Sequence, residues 1–156
     1  MDKKIKEIFM KRITILLILA FSGFVFAQEN SQKKYDITKL PNYSYLKTKI
    51  DLSNIETNPD TMPEFPNGIN AFRDKFTKKI DLFNVKFENN RTLKTQVYFV
   101  VEKDGKINNI IAIGDIKYSE AAEKAVKKIK DIWKPATLNG EPVRYLFNWP
   151  LQLMDH

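Results

Sequence analysis

Apolar positions along this chain change their period, and each change predicts a new element. Ile69, Phe72, Phe76 and Ile80 recur at spacings of three and four. That spacing is one face of an amphipathic helix, with Arg73, Asp74, Lys75, Lys78 and Lys79 on the rest of its surface. After a polar stretch, Glu88 to Arg91, the period falls to two. Val97, Phe99 and Val101 alternate with Gln96, Tyr98, Val100 and Glu102, which predicts a strand. Because Tyr98 and Val100 are also apolar, its second face is expected to be partly covered. Asp104-Gly105 supplies the positive φ of a tight hairpin turn. The return strand is expected from about Lys106 to Ile113, with Ile107, Ile111 and Ile113 on one face and Asn108, Ile110 and Ala112 on the other.

A second helix is predicted from Ser119, a good N-cap, with Glu120 and Glu123 placed to favour its N-terminus. Ala122, Ala125, Val126, Ile129, Ile132 and Trp133 fall within an arc of about 120°. Lys124, Lys127, Lys128, Asp131 and Lys134 fall opposite. Pro135 stops this helix and Asn139-Gly140 makes a turn. The last strand alternates Val143, Tyr145, Phe147, Trp149 and Leu151 against Arg144, Leu146, Asn148 and Pro150. Pro150 cannot donate a ladder hydrogen bond, so a free edge is expected beside it. The order α-β-β-α-β predicts an α+β fold, a small antiparallel or mixed three-stranded sheet packed by two helices.

The first 62 residues read differently. Residues 1–12 are basic, and Ile13 to Ala27 carry no charge. The run ends in Val25-Phe26-Ala27 before the polar Gln28-Glu29-Asn30-Ser31. A basic lead, a short apolar run and a small-x-small end predict a signal peptide cut between Ala27 and Gln28. The run is shorter than the roughly 20 residues a spanning helix needs. Met10 is an alternative start, since Met10-Lys11-Arg12 alone supplies a basic lead. Residues 28–62 show no sustained period and are expected to be a polar tether. The domain proper is expected over 63–156.

Composition narrows the chemistry. The chain has no cysteine, which excludes disulfides, thiolate metal sites and cysteine nucleophiles. Its one histidine is the terminal His156, so neither a Ser-His-Asp triad nor a histidine zinc site is expected. Glu102 with Asp104, and Glu120 with Glu123, are carboxylate pairs at ordinary surface spacings and make no acid–base case. No enzyme activity, cofactor or metal is expected. Residues 1–27 hold five of the 26 basic and two of the 19 acidic side chains, leaving the rest at +4. Nucleic acid is not an expected partner of an exported chain without a recognition motif.

Pro63-Glu64-Phe65-Pro66, the strand Val97 to Val101, Asp104-Gly105, the helix ending in Trp133-Lys134-Pro135 and the strand Val143 to Leu151 together resemble the C-terminal domain of TonB, in the versions found in Bacteroidetes. The resemblance covers about residues 62–154 and rests on the order and spacing of the motifs. It implies a periplasmic domain that grips an extended segment, the TonB box, of an outer-membrane receptor by adding it beside the last strand. Carried over by position, the partner-binding residues are Val143, Arg144, Tyr145, Leu146, Phe147, Asn148 and Trp149, with Phe65-Pro66 at the place of the family's Tyr-Pro motif. Phe65 lacks that tyrosine's hydroxyl, and Pro150 removes one donor from the edge. Three readings follow. The first is a free periplasmic adaptor. The second is an energy transducer, anchored in the inner membrane by an uncut N-terminus and coupled to an ExbB–ExbD-type motor. The third is an assembly protein that pairs the same edge with a second copy as a homodimer.

Overall fold

A computed structural model describes residues 36–87 and 91–154. The chain opens with a single 3₁₀ turn, Ile37–Lys39, where Asp36 accepts a hydrogen bond from the Thr38 amide at 3.0 Å. Three helices follow in order: α1 (Tyr43–Lys49), α2 (Gly68–Lys79) and α3 (Ile116–Lys127). The main sheet comprises β1 (Leu93–Val101), β2 (Ile107–Gly114) and β5 (Tyr145–Leu153), and a small hairpin comprises β3 (Ala136–Leu138) and β4 (Glu141–Val143). The three main strands lie in the order β2-β1-β5 with both pairings antiparallel. The fold is therefore α+β, and the α-β-β-α-β order runs from α2 to β5 with the β3–β4 hairpin inserted before the last strand.

β1 is central and buried on both faces, which explains its near-continuous apolar sequence. Val97, Phe99 and Val101 face α2 and α3. With Phe72 and Phe76 of α2, Ala122, Ala125 and Val126 of α3, and Phe65, Ile129, Trp133 and Trp149 they form the larger core. The rings meet edge-on or tilted, as aromatic quadrupoles favour: Phe72 lies 4.8 Å from Trp149 and 5.2 Å from Trp133, between centroids. Trp133 Nε1 is buried and has no hydrogen-bond partner among the described residues.

The opposite face is not open. Leu40, Leu46 and Ile50 pack on Tyr98, Val100 and Leu146 as a second core. The Tyr98 hydroxyl donates to the Pro41 carbonyl at 3.1 Å. Residues 36–62, read from the sequence as a tether, thus form the third layer of the domain. The sequence hides this because α1 is only seven residues long, too short to display a helical period, and it relies on a few well-placed leucines and isoleucines. Burying each of these contributes about 1.5–3 kcal/mol before entropy is subtracted.

Other boundaries also shift. The second predicted helix starts at Ile116, after Asp115, rather than at Ser119. Ser119 is instead buried within it and shares a hydrogen bond of 2.7 Å with Thr95 of β1. The helix stops at Lys127, well before Pro135, so the 100° rule no longer governs Ile132, which is half exposed. In β2, Ile107 shares a core with Ile110 and Ala112, not with Ile111 and Ile113. A β-bulge is the cause. Tyr98 pairs with Ile111 and Val100 with Asn108, so two residues of β2 oppose Phe99. Asn109 takes the left-handed φ of 53° that the extra residue requires.

Candidate functional site

The site expected from the sequence is the last strand, and β5 does lie at a sheet edge, paired with β1 alone. Which of its backbone groups face outward follows from one residue. Pro150 stands opposite Gln96 and has no N–H to offer β1. Glu102, of the same parity as Gln96, donates its N–H to Lys106 at 2.9 Å, toward β2. Even-numbered residues of β1 therefore turn toward β2, and their partners on β5 turn outward. The outer edge so presents the N–H groups of Leu146, Asn148 and Gln152 and the carbonyls of Leu146, Asn148, Pro150 and Gln152. Among the described residues no strand bonds to them.

The edge is closed at its beginning. Residues before α2 run alongside the segment that leads into β5: Glu64 pairs with Lys134, Thr61 with Thr137 and Ile55 with Arg144, the last in parallel orientation. The Glu56 amide donates to the Arg144 carbonyl at 2.8 Å. Arg144 fixes this junction with its side chain as well. Its Nε donates to Glu102 Oε2 at 2.8 Å and Nη2 to Glu102 Oε1 at 3.1 Å, a two-pronged guanidinium–carboxylate pair. Nη1 donates to the Ser53 carbonyl and Nη2 to the Asp51 carbonyl at 3.2 Å. The hydrogen bonds that Arg144 donates to Glu102 hold the guanidinium above its ordinary pKa, while hydrogen bonds from Ser53, aided by the Arg144 charge, hold the Asp51 carboxyl below its own. Arg144 is a latch between strand and N-terminal layer.

The other expected partner-binding residues divide by burial. Phe65 is 2% exposed, wedged 5.2 Å from both Phe72 and Trp133, and presents no surface to a partner; Pro66 beside it is exposed. Trp149 and Leu146 are buried on opposite faces of the sheet. Tyr145 and Phe147 are half-buried, and Phe147 stacks on Phe99 at 5.1 Å. Val143 lies outside the last strand, in β4 opposite Ala136. Asn148 is exposed and accepts a hydrogen bond from the Gln96 side chain at 2.7 Å. The expected cleavage point, Ala27 and Gln28, lies outside the described residues. Among the described residues no three His, Cys, Asp or Glu side chains gather as metal ligands, and no helix is long and apolar enough to cross a membrane.

The outer edge of β5 can therefore bind through backbone groups. A small α+β domain with an open outer strand is the class that fold and site define. No protein-family model, curated protein or solved structure matches the chain.

Proposed function

We propose that the outer edge of β5 captures an extended peptide by strand addition, as the resemblance to the TonB C-terminal domain implies. One observation carries this reading: from Leu146 to Gln152 the strand offers outward N–H and C=O groups with no strand beside them among the described residues. Such a row is a template for an extended chain, whose backbone supplies affinity and whose alternate side chains supply selectivity. The bond from Glu56 to Arg144 is already the first rung of such a pairing, made by the protein's own chain. In this reading the ligand is a segment of the TonB-box kind on an outer-membrane receptor, and the domain works in the periplasm.

Asn148→Pro tests it. The Asn148 N–H points away from β1, so proline there leaves the β1–β5 ladder intact, just as Pro150 does two residues on. It removes a central donor and sets a ring against the added strand. With a panel of receptor N-terminal peptides, binding by the parent protein and a loss of at least about tenfold in the folded variant are expected. Unchanged affinity sinks the proposal. Sedimentation at rising concentration separates peptide capture from self-pairing of the same edge. Intact mass of protein from periplasm and from membranes separates a free adaptor, starting at Gln28, from an anchored transducer served by an ExbB–ExbD motor.

A further inference from the structure

A second surface lies at the end of the sheet where β1 begins and β2 ends. The loop that follows α2 turns tightly there. The Phe83 amide is held by Asp81 at 3.0 Å and the Val85 amide by the Leu82 carbonyl at 2.9 Å. The turn projects Phe83 into solvent, where it is 88% exposed, the most exposed large apolar side chain among the described residues. Across the loop Ile116, at the start of α3, is 74% exposed. An aromatic side chain held out by a well-bonded turn gains nothing from the fold, and in water it is unfavourable.

Two clefts flank this loop and share Asn84, Val85 and Lys117 as lining. One, of about 380 Å³, runs between the loop and α3, and the other, of about 560 Å³, opens toward Leu93 and Ile116. Together six basic side chains line them against three carboxylates. All three carboxylates are engaged: Asp81 with the Phe83 amide, Glu120 with Lys117, and Asp115 with Arg91 and the Lys94 amide. Lys79, Lys86, Lys124 and Lys128 have no carboxylate partner among the described residues. Unneutralised lysines around a projecting aromatic side chain suit a surface that is anionic outside and apolar just beneath.

We propose that this surface docks on an anionic lipid bilayer, with Phe83 entering the boundary between headgroups and acyl chains. Lys79, Lys124 and Lys128 meet lipid phosphates in the first cleft, and Lys86 meets them in the second. The docked end is remote from the β1–β2 turn at Asp104-Gly105, since nine residues of β1 span about 30 Å. Only the last residues of β5 reach the docked end, where Leu153 pairs with Leu93, and Leu146 to Asn148 lie toward the other end, so this proposal does not depend on the peptide-binding reading.

The absence of cysteine allows a local readout in the full chain, which matters because residues 13–27 are apolar and can enter a bilayer themselves. A nitroxide is attached to Phe83→Cys, and in a second protein to Lys103→Cys at the far end of the sheet. Each is mixed with vesicles of phosphatidylglycerol and phosphatidylcholine, and with vesicles of phosphatidylcholine alone. The expected result is a label at 83 shielded from an aqueous nickel relaxant by anionic vesicles only, with the label at 103 in water throughout. Changing Lys79, Lys124 and Lys128 to Gln is expected to weaken the shielding partition by about a hundredfold, from about fivefold per lysine. A label at 83 that stays in water while the chain co-sediments overturns the proposal, as does equal shielding by neutral vesicles. Release of the docked protein by millimolar inorganic phosphate, at an ionic strength matched with chloride, overturns it too, by assigning the lysines to a small anion. Phe83 is outside both cores, so its replacement leaves folding intact.

Discussion

Gly105 and Trp133 are locked together across the molecule. The Trp133 amide donates to the Gly105 carbonyl at 2.8 Å, and a Cβ built on Gly105 would lie 1.9 Å from the Trp133 carbonyl oxygen. The hairpin turn between β1 and β2 is thereby bolted to the segment that follows α3. Gly105 also has a φ of +79°, which side-chain-bearing residues disfavour. Gly105→Ala therefore meets both a strained backbone and a rigid carbonyl. A loss of at least about 2 kcal/mol is expected from urea unfolding, against about 1 for an unstrained exposed turn.

Leu46 tests whether the N-terminal layer belongs to the fold. Its side chain is fully buried against the second face of the sheet. Leu46→Ala should lower stability by about 2–5 kcal/mol, the range for a leucine cavity in a packed core. A flexible tether would give a change near zero in the same denaturation experiment.

The Arg144 latch has a distinct signature. Arg144→Gln leaves the Glu102 carboxylate without its two-pronged partner and frees the Asp51 and Ser53 carbonyls. About 1–3 kcal/mol of destabilisation is expected. Amide exchange should accelerate at Glu56, whose N–H bonds to the Arg144 backbone, more than at the centre of β1. Uniform acceleration would show that the latch supports the whole domain and not the junction.

Tyr118 predicts a pH dependence. Burial disfavours its phenolate and raises its pKa above the ordinary 10.0. The neutral phenol is thus favoured in the folded state, and the unfolded chain ionises first. This contribution to stability is complete below about pH 9 and is lost as pH rises past 10 through the raised folded value. Tyr118→Phe removes the titrating group, so the difference in urea midpoint between the two proteins should be constant below about pH 9 and move against the parent protein as pH rises past about 10. Parallel curves would place Tyr118 in a more solvated setting than its burial indicates.

Much of the scaffold was legible. The Phe72 and Phe76 spacing, the alternation through Val97, Phe99 and Val101, the Asp104-Gly105 and Asn139-Gly140 turns and the edge position implied by Pro150 all follow from periods and backbone restrictions acting within a few residues. The membership of β5 at the edge could be inferred because proline's missing N–H is a local fact with a non-local consequence. What was not legible depended on contacts between distant segments. The seven residues of α1 are helical largely because Leu46 finds Tyr98, Val100 and Leu146. Ser119 looks like a helix cap until Thr95 is placed beside it.

The same division holds for the candidate site. Residue types alone excluded thiol chemistry, because a missing functional group is a property of composition, whereas the proposal of strand addition at β5 rests on the resemblance and on the open edge. Only the tertiary structure decided that Phe65 is a core residue, that Val143 belongs to another hairpin, and that Arg144 holds the chain's own N-terminal layer. Periodicity reports which side of an element is apolar, whereas burial and partner choice depend on which element comes to lie against that side.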